Sequence, residues 1–381
     1  MSSWAQQWRA GVRVHLDDAV TLRHALHAAP YLGGEEGPTS QAVVDWLALG
    51  EGTVVAETGR MVTVLGGEGA PVVLRAELDG LPIEEATGVP WAATNGSMQA
   101  CGHDVHLAAL AAVARAATGI DLPRPLLVLL QPREEGARSG ARDVVAEGAL
   151  AGVAAVVAAH VQPRLPAGVV ASTPGPVNAA TDEFTITVRG RGGHSGYPHT
   201  VDDSVLALSA TVVALQQVGA RRIDPTVGVA CMVNQLRAGT ANNVVPGVAV
   251  GSGTVRTMRP EDRDTAHRAI ADIATATATA YGCAAEVEFD VAEPVLVNDV
   301  DLAVRAGEVL GEMGHAVDPT FRSFGSDDFS YYCEVTRGLM LFVGTGAERG
   351  GLHDATYLPD DAYVGLVADA LVAGYCAAVA P

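Results

Sequence analysis

Residues 98–110 read "MQACGHDVHLAAL", which crowds a thiol, an imidazole, a carboxylate and a second imidazole into positions 101–106. With only 5 cysteines and 11 histidines in the chain, chance seldom produces such a group. Thiolate and imidazole together suit zinc or a neighbouring first-row ion, whereas calcium and magnesium prefer oxygen donors. Three more stretches carry compatible donors: Glu134 and Glu135 in "QPREEG", His160 in "VAAVVAAH" and His353 in "GGLHDATY". Each has a plain structural alternative when taken alone. A Cys-x-His can be a polar helix start, two adjacent glutamates a solvated loop, and a single histidine a satisfied core residue. His106, on the helix after the motif, reads as structural or as support for a ligand.

The elements around these residues argue for a common location. Apolar runs at 71–78, 125–132 and 153–161, and "GLMLFVGTG" further on, read as buried strands separated by helical stretches. The stretch 18–49 reads as a helical entry segment broken at Pro30. This alternation predicts an α/β sheet with covered faces. Each donor cluster lies beside a strand end or opens the helix that precedes a strand. In open α/β sheets, ligands gather outside the carboxyl ends of the strands. One rim would then receive Cys101, His103, a glutamate, His160 and His353. Five donors exceed the needs of one tetrahedral ion and suit a pair of ions about 3.5–4 Å apart with a bridging group. Side chains of adjacent residues at a strand end diverge, which assigns Glu135 as a ligand and Glu134 as a base. A bound metal lowers the pKa of water to about 7, within reach of such a carboxylate.

Near residue 180 the pattern changes. "DEFTITVRG" alternates as a half-exposed strand, and a β-α-β-β-α-β order follows up to about 292. The expected architecture is therefore α/β: a discontinuous mixed-sheet dinuclear metallohydrolase domain (1–179 and 293–381) with an inserted α+β two-layer satellite (180–292).

Composition narrows the functional classes. At 381 residues the chain exceeds the usual size of one core. Hydrophobic residues make up 49% and aromatics 5%, so the core must be aliphatic. We expect no membrane span, since no apolar run approaches about 18–20 residues, and no leader, which points to a cytoplasmic protein. A formal net charge of −20 repels phosphate, setting nucleic acid and anionic membranes aside. Every basic residue is arginine; with no lysine there is no Schiff base and no Walker-type phosphate loop. The odd cysteine count without a CxxC pair argues against a disulfide framework.

Beyond these residues, nearly the whole chain resembles the metal-dependent amidohydrolases that include hippurate hydrolase, N-acyl-amino-acid aminoacylases and plant indole-acetyl-amino-acid hydrolases. They are a branch of the larger group containing carboxypeptidase G. The resemblance is carried by "LRHALHAAPYLGGEEGPTS", "RAELDGLPIEEATGVPWA", "MQACGHDVH", "QPREEGARSGARDVVAEGAL", "GRGGHSGYPH", "NVVPGVAVGSGTVRTM", "FGSDDFSYY" and "LHDATYLPDD". It implies metal ligands at Cys101, His103, Glu135, His160 and His353, with Cys101 as the bridging group and Glu134 as the general base. It implies a role for Asp79 in orienting the base or a ligand. His194 would help bind the oxyanion, often across a dimer, and Asn243 and Arg256 would contact the polar end of the substrate. The satellite is similar to the family's lid and dimer contact, so a homodimer is expected. The implied reaction is hydrolysis of the amide of an N-acyl amino acid by two divalent ions, with zinc favoured and manganese, cobalt or nickel as alternatives. A dipeptide or another N-acylated metabolite is the alternative substrate.

The sequence departs from the family pattern at Gln99, Asp327, Gly196 and Tyr197, none of which is an expected ligand. Two rival classes stand beside this reading. A serine hydrolase would use "GGHSGY", which has Tyr197 in place of the last glycine of a nucleophile elbow. A catalytically silent binding protein would have lost a ligand or Glu134, and all are present.

Overall fold

The computed structural model describes every residue except 66, 137, 349 and 381. The chain divides into two units. The first comprises Met1–Gly175, Val297–Arg322 and Asp328–Pro381; the second comprises Pro176–Leu296 and Ser323–Asp327.

The first unit opens with helices α1 (Ser3–Ala28) and α2 (Gly37–Leu47). Helix α1 thus starts well before the expected 18, because Trp8 and Val12 already form a buried stripe and Trp8 Nε1–H donates to Val113 O at 2.8 Å. A hairpin of β1 (Thr53–Val55) and β2 (Gly59–Leu65) precedes β3 (Val72–Glu77), α3 (His103–Ala117), β4 (Leu126–Gln131), α4 (Gly140–Ala146), β5 (Ala155–Gln162) and β6 (Val169–Ala171).

The chain then crosses to the second unit through β7 (Gly175–Asn178). There follow β8 (Ala180–Arg189), β9 (Gly193–His194), α5 (Ser204–Ala214), β10 (Val229–Ala238), β11 (Val244–Val245), β12 (Val248–Thr257), α6 (Pro260–Ala280) and β13 (Ala284–Val291). The antiparallel sheet has the order β10-β12-β8-β13. Alternation on β8 turns Phe184, Ile186 and Val188 inward, where they join Leu208, Ile270 and Ile273 in a separate core. Asp203 caps α5 by accepting the N–H groups of Val205 and Leu206, both at 3.0 Å. Helix α5 ends at Ala214, and a π-turn occupies Val218–Arg222.

The chain returns through β14 (Leu296–Asn298) to α7 (Val300–Glu312), β15 (Ala316–Asp318), α8 (Ser330–Val335), β16 (Gly338–Gly344) and α9 (Ala362–Val379). Residues 323–327 depart from the expected division, which kept all of 293–381 together. Ala179 N–H donates to Ser323 O and Gly325 O, Ser323 N–H donates to Val177 O, and Arg256 donates to Phe324 O. These bonds tie the five residues to the second unit.

The sheet of the first unit runs β1-β2-β4-β3-β5-β16-β6-β15. Its centre is parallel: β3 pairs with β4 and β5, and β5 with β16, with Leu74 opposite Val128 and Val157 and His160 opposite Phe342. Strands β2 and β6 run antiparallel to their neighbours β4 and β16, which makes the sheet mixed. Strands β3, β5 and β16 are buried throughout, as apolar runs covered on both faces must be. The last helix, α9, corrects the expectation about apolar runs. Its 18 residues, with mean hydropathy 1.7, match a membrane span by length and composition. It is instead mostly buried, and lies so close to β5 that a Cβ at Gly374 would meet Val157 at 2.3 Å.

Candidate metal centre

Because β3, β4, β5 and β16 are mutually parallel, their carboxyl ends open on one rim of the first unit. Asp79 follows β3, Glu134 and Glu135 follow β4, His160 lies near the end of β5, and His353 arrives in the loop after β16. Cys101 and His103 stand at the start of α3. The Cys101 thiol lies 3.5 Å from His160 Nε2. His103 Nε2 lies 3.6 Å from Glu134 and 4.0 Å from Glu135. Glu135 Oε1 is 3.1 Å from His353 Nε2. Among the described residues, Glu134 groups with His103 and Glu135 and also with Asp327 and Asp328, and two further donor sets, Cys101–His103–His160 and Cys101–Glu135–His353, likewise keep their donor atoms within 4.8 Å of one another. Cys101 belongs to both.

Local backbone chemistry aims these side chains. Gly102 adopts φ 82°, and a Cβ there would lie 2.5 Å from Val161, so only glycine lets the motif turn into α3 against β5. His103 Nδ1–H donates to Asp79 O at 2.8 Å, which leaves Nε2 buried without a hydrogen-bond partner among the described residues. His160 Nδ1–H donates to Val161 O at 2.6 Å, so its Nε2 faces Cys101. His353 is left-handed (φ 65°), and its N–H donates to Ala100 O at 2.9 Å. That conformation costs roughly 1–2 kcal/mol in a non-glycine residue. Asp79 accepts the Glu135 N–H at 2.9 Å through Oδ2.

Burial, then Glu135 and Glu134, push the Cys101 thiol up. Burial alone would depress the His103 imidazole, yet Glu77, Asp79 and Glu135 together raise it. Burial likewise lifts Asp79 to about 6. Burial is the chief cause for the thiol and the carboxyl, whereas the rise at His103 records the carboxylates around it. Together with the orphaned His103 Nε2, this donor set fits divalent ions.

His106 is not available as a ligand. Nδ1–H donates to Glu77 at 2.8 Å and Nε2 accepts the Val161 N–H at 2.9 Å. Burial drives its pKa down to about 4, so it is neutral. Glu77 also pairs with Arg75, which reaches Gln131 and Asp328.

In the second unit, β9 and β11 pair with His194 opposite Val244, and Ser195 N–H donates to Asn243 O at 3.1 Å, which brings His194 and Asn243 together. Gly196 N–H donates to His194 Nδ1 at 3.0 Å, so the neutral ring carries its proton on Nε2. Arg256 holds Phe324 O at 2.7 Å. The sequence reading did not single out Glu36 and Arg133, which flank the glutamate pair. Arg133 stands directly before that pair, but neither residue type signals a left-handed backbone or an internal anchor.

The fold and the site together define a two-unit α/β protein with a metal-type donor cluster at its strand ends. A model of peptidase family M20/M25/M40 matches residues 73–368, and the chain belongs to that family of metal-dependent hydrolases. It is 32% identical over 351 residues to N-acetylcysteine deacetylase of Bacillus subtilis, covering 90% of this chain and 92% of the relative. To N-acetyldiaminopimelate deacetylase of Shouchella clausii it is 30% identical over 373 residues, covering 94% and 97%. The Bacillus subtilis YXEP protein, a dinuclear metal binding peptidase from the M20 family, superposes with a TM-score of 0.84 at 27% identity, covering 95% of this chain and 98% of that one.

Proposed function

We propose that this chain hydrolyses the amide bond of an N-acyl amino acid, with an N-acetyl amino acid the first candidate, and that it does so with two divalent ions. The observation that carries the reading is the sharing of Cys101 between two donor sets, with Glu134 outside both although it lies with His103 and Glu135 in a third. Zinc is favoured by the thiolate and the three imidazoles. When bound, the ions polarise the scissile carbonyl and make water acidic enough to lose a proton near neutrality. Glu134 takes that proton as water attacks the acyl carbon, and returns it to the leaving amine nitrogen. Cys101, His103, Glu135, His160 and His353 hold the ions. Asp79 fixes the Glu135 backbone. His194, with its proton on Nε2, donates to the oxyanion, while Asn243 and Arg256 receive the polar end of the substrate.

The names of the two deacetylase relatives support the acyl amino acid class. A homodimer through the second unit is part of the proposal. It is supported by the exposed Val205, Leu206 and Val213 on α5 and by the edge strand β10, which exposes Met232 and Leu236. The test is a screen of N-acyl amino acids varied on both acyl and amine sides, run with metal analysis. Glu134→Gln should abolish turnover while the metal content stays at two ions per chain; full turnover in that variant would overturn the assignment of the base.

A further inference from the structure

Arg133, immediately before the two glutamates, has a left-handed backbone (φ 52°) despite its long side chain. Its N–H donates to Glu36 Oε1 at 2.8 Å, while the Glu135 N–H donates to Asp79 at 2.9 Å. Glu134 therefore sits between two backbone amides, each held by a buried carboxylate. Glu36 is fully buried, and its second oxygen accepts Gly34 N–H at 2.7 Å and the Thr58 hydroxyl at 2.9 Å. The Arg133 guanidinium reaches Ala56 O at 3.1 Å, Glu57 at 3.2 Å and Asp143 at 2.6 Å.

The hairpin tip that Arg133 grips is strained as well. Ala56 (φ 46°) and Glu57 (φ 75°) both lie in the left-handed region within the three-residue turn, 56–58, between β1 and β2. Left-handed turn positions are normally filled by Gly, Asn or Asp. Here the tip is held from outside, by Glu147 accepting the Ala56 N–H at 2.9 Å and by Arg138 and Arg133 on Glu57. Three left-handed non-glycine residues thus meet at one carboxylate–guanidinium cluster. Strain of this kind survives only where surrounding contacts over-determine it, and it gathers at active sites.

We propose that Glu36 and Arg133 are positioning residues that, braced on the Ala56–Glu57 tip, set the direction in which Glu134 leaves the chain. The proposal rests on the reading of Glu134 as base. Adjacent glutamates must serve different ends, one holding an ion and one moving a proton. Glu135 is tied by the Asp79 bond and by His353, whereas the approach to Glu134 is governed by the residue before it. Loosening Arg133 should misdirect Glu134 and leave the ligands in place.

The test uses the metal-loaded full chain, with N-acetylcysteine as the first probe and the best N-acyl amino acid of the screen if that is not turned over. Arg133→Gly and Glu36→Gln should each lower kcat at least tenfold, with KM within twofold and two ions per chain retained. Arg133→Lys, which keeps one charged donor, should recover part of the loss. Glu57→Gly, at the exposed tip, relieves strain and removes one Arg133 partner; it should lower kcat two- to fivefold without loss of thermal stability. It decides the matter if the buried variants do not fold. Turnover within twofold of the parent in the folded variants would overturn the proposal, as would metal loss that accounts in full for lost activity. Glu134→Gln is measured alongside. If it is inactive while the Arg133 and Glu36 variants are unimpaired, positioning alone fails; if it stays active, the base assignment fails and the proposal with it.

Discussion

The amide of Val161 donates to Nε2 of His106 at 2.9 Å, and this bond joins the strand that carries His160 to the helix that carries His103. Glu77 completes the arrangement by accepting His106 Nδ1–H. Replacing His106 by Phe leaves Val161 N–H and Glu77 without this partner in a buried setting. We expect a loss of about 2–4 kcal/mol in urea unfolding. Chelator competition should show weaker retention of the ion assigned to Cys101, His103 and His160 than of the other.

Because Cys101 belongs to both donor sets, its loss should differ from the loss of any other ligand. Elemental analysis of Cys101→Ala is expected to show both ions depleted, whereas His353→Ala should retain the ion of the His103–His160 set. Stripping the metal from the parent protein should lower its thermal midpoint. A ligand at a thousandfold its Kd stabilises the native state by about 4 kcal/mol.

Helix α1 is stapled to the start of α3 through a buried pair, Arg23 with Asp104 at 2.9 Å. The Arg23 guanidinium also reaches Asp361 at 2.6 Å and Pro359 O at 2.7 Å. Burial alone would raise the Asp104 carboxyl, but Arg23 and His27 hold it well below the usual carboxylate range. Arg23→Met leaves that carboxylate with His27 as its remaining partner, and breaking a buried pair from one side costs roughly 3–5 kcal/mol. Chemical denaturation should show a loss of this size, and an unchanged midpoint would refute the staple.

In the second unit, Asp182 accepts from Arg263, from His267 at 2.7 Å and from Ala292 N–H at 3.0 Å. Burial opposes its ionisation, but Arg263 and His267 outweigh it and lower the pKa to about 2. The folded pKa lies below the unfolded value of about 3.9. The stabilisation is therefore complete above about pH 4 and is lost as pH falls toward 2. Asp182→Asn should lower stability at neutral pH and flatten this part of the acid limb, read by thermal unfolding across pH 2–6.

Much of this protein was legible from local pattern. Apolar runs marked β3, β4, β5 and β16, and alternation marked the strands of the second unit. The short strands β1, β6 and β15, three residues each, carry too little pattern to read. The five donors and the glutamate pair were recognisable because their chemistry resides in residue type. The return of 323–327 to the second unit was not, since backbone hydrogen bonds rather than side-chain pattern place it there.

Sequence alone determined which atoms are offered: a thiol, imidazoles and carboxylates at the ends of strands that had to be buried and parallel. Tertiary structure decided how those atoms are shared and aimed. It put Cys101 in two sets, closed both nitrogens of His106 and set Arg133 left-handed on Glu36. Donor chemistry belongs to a side chain wherever it lies. Its direction depends on hydrogen bonds from residues far away in the chain, and neither arginine nor glutamate announces in composition that it will form them.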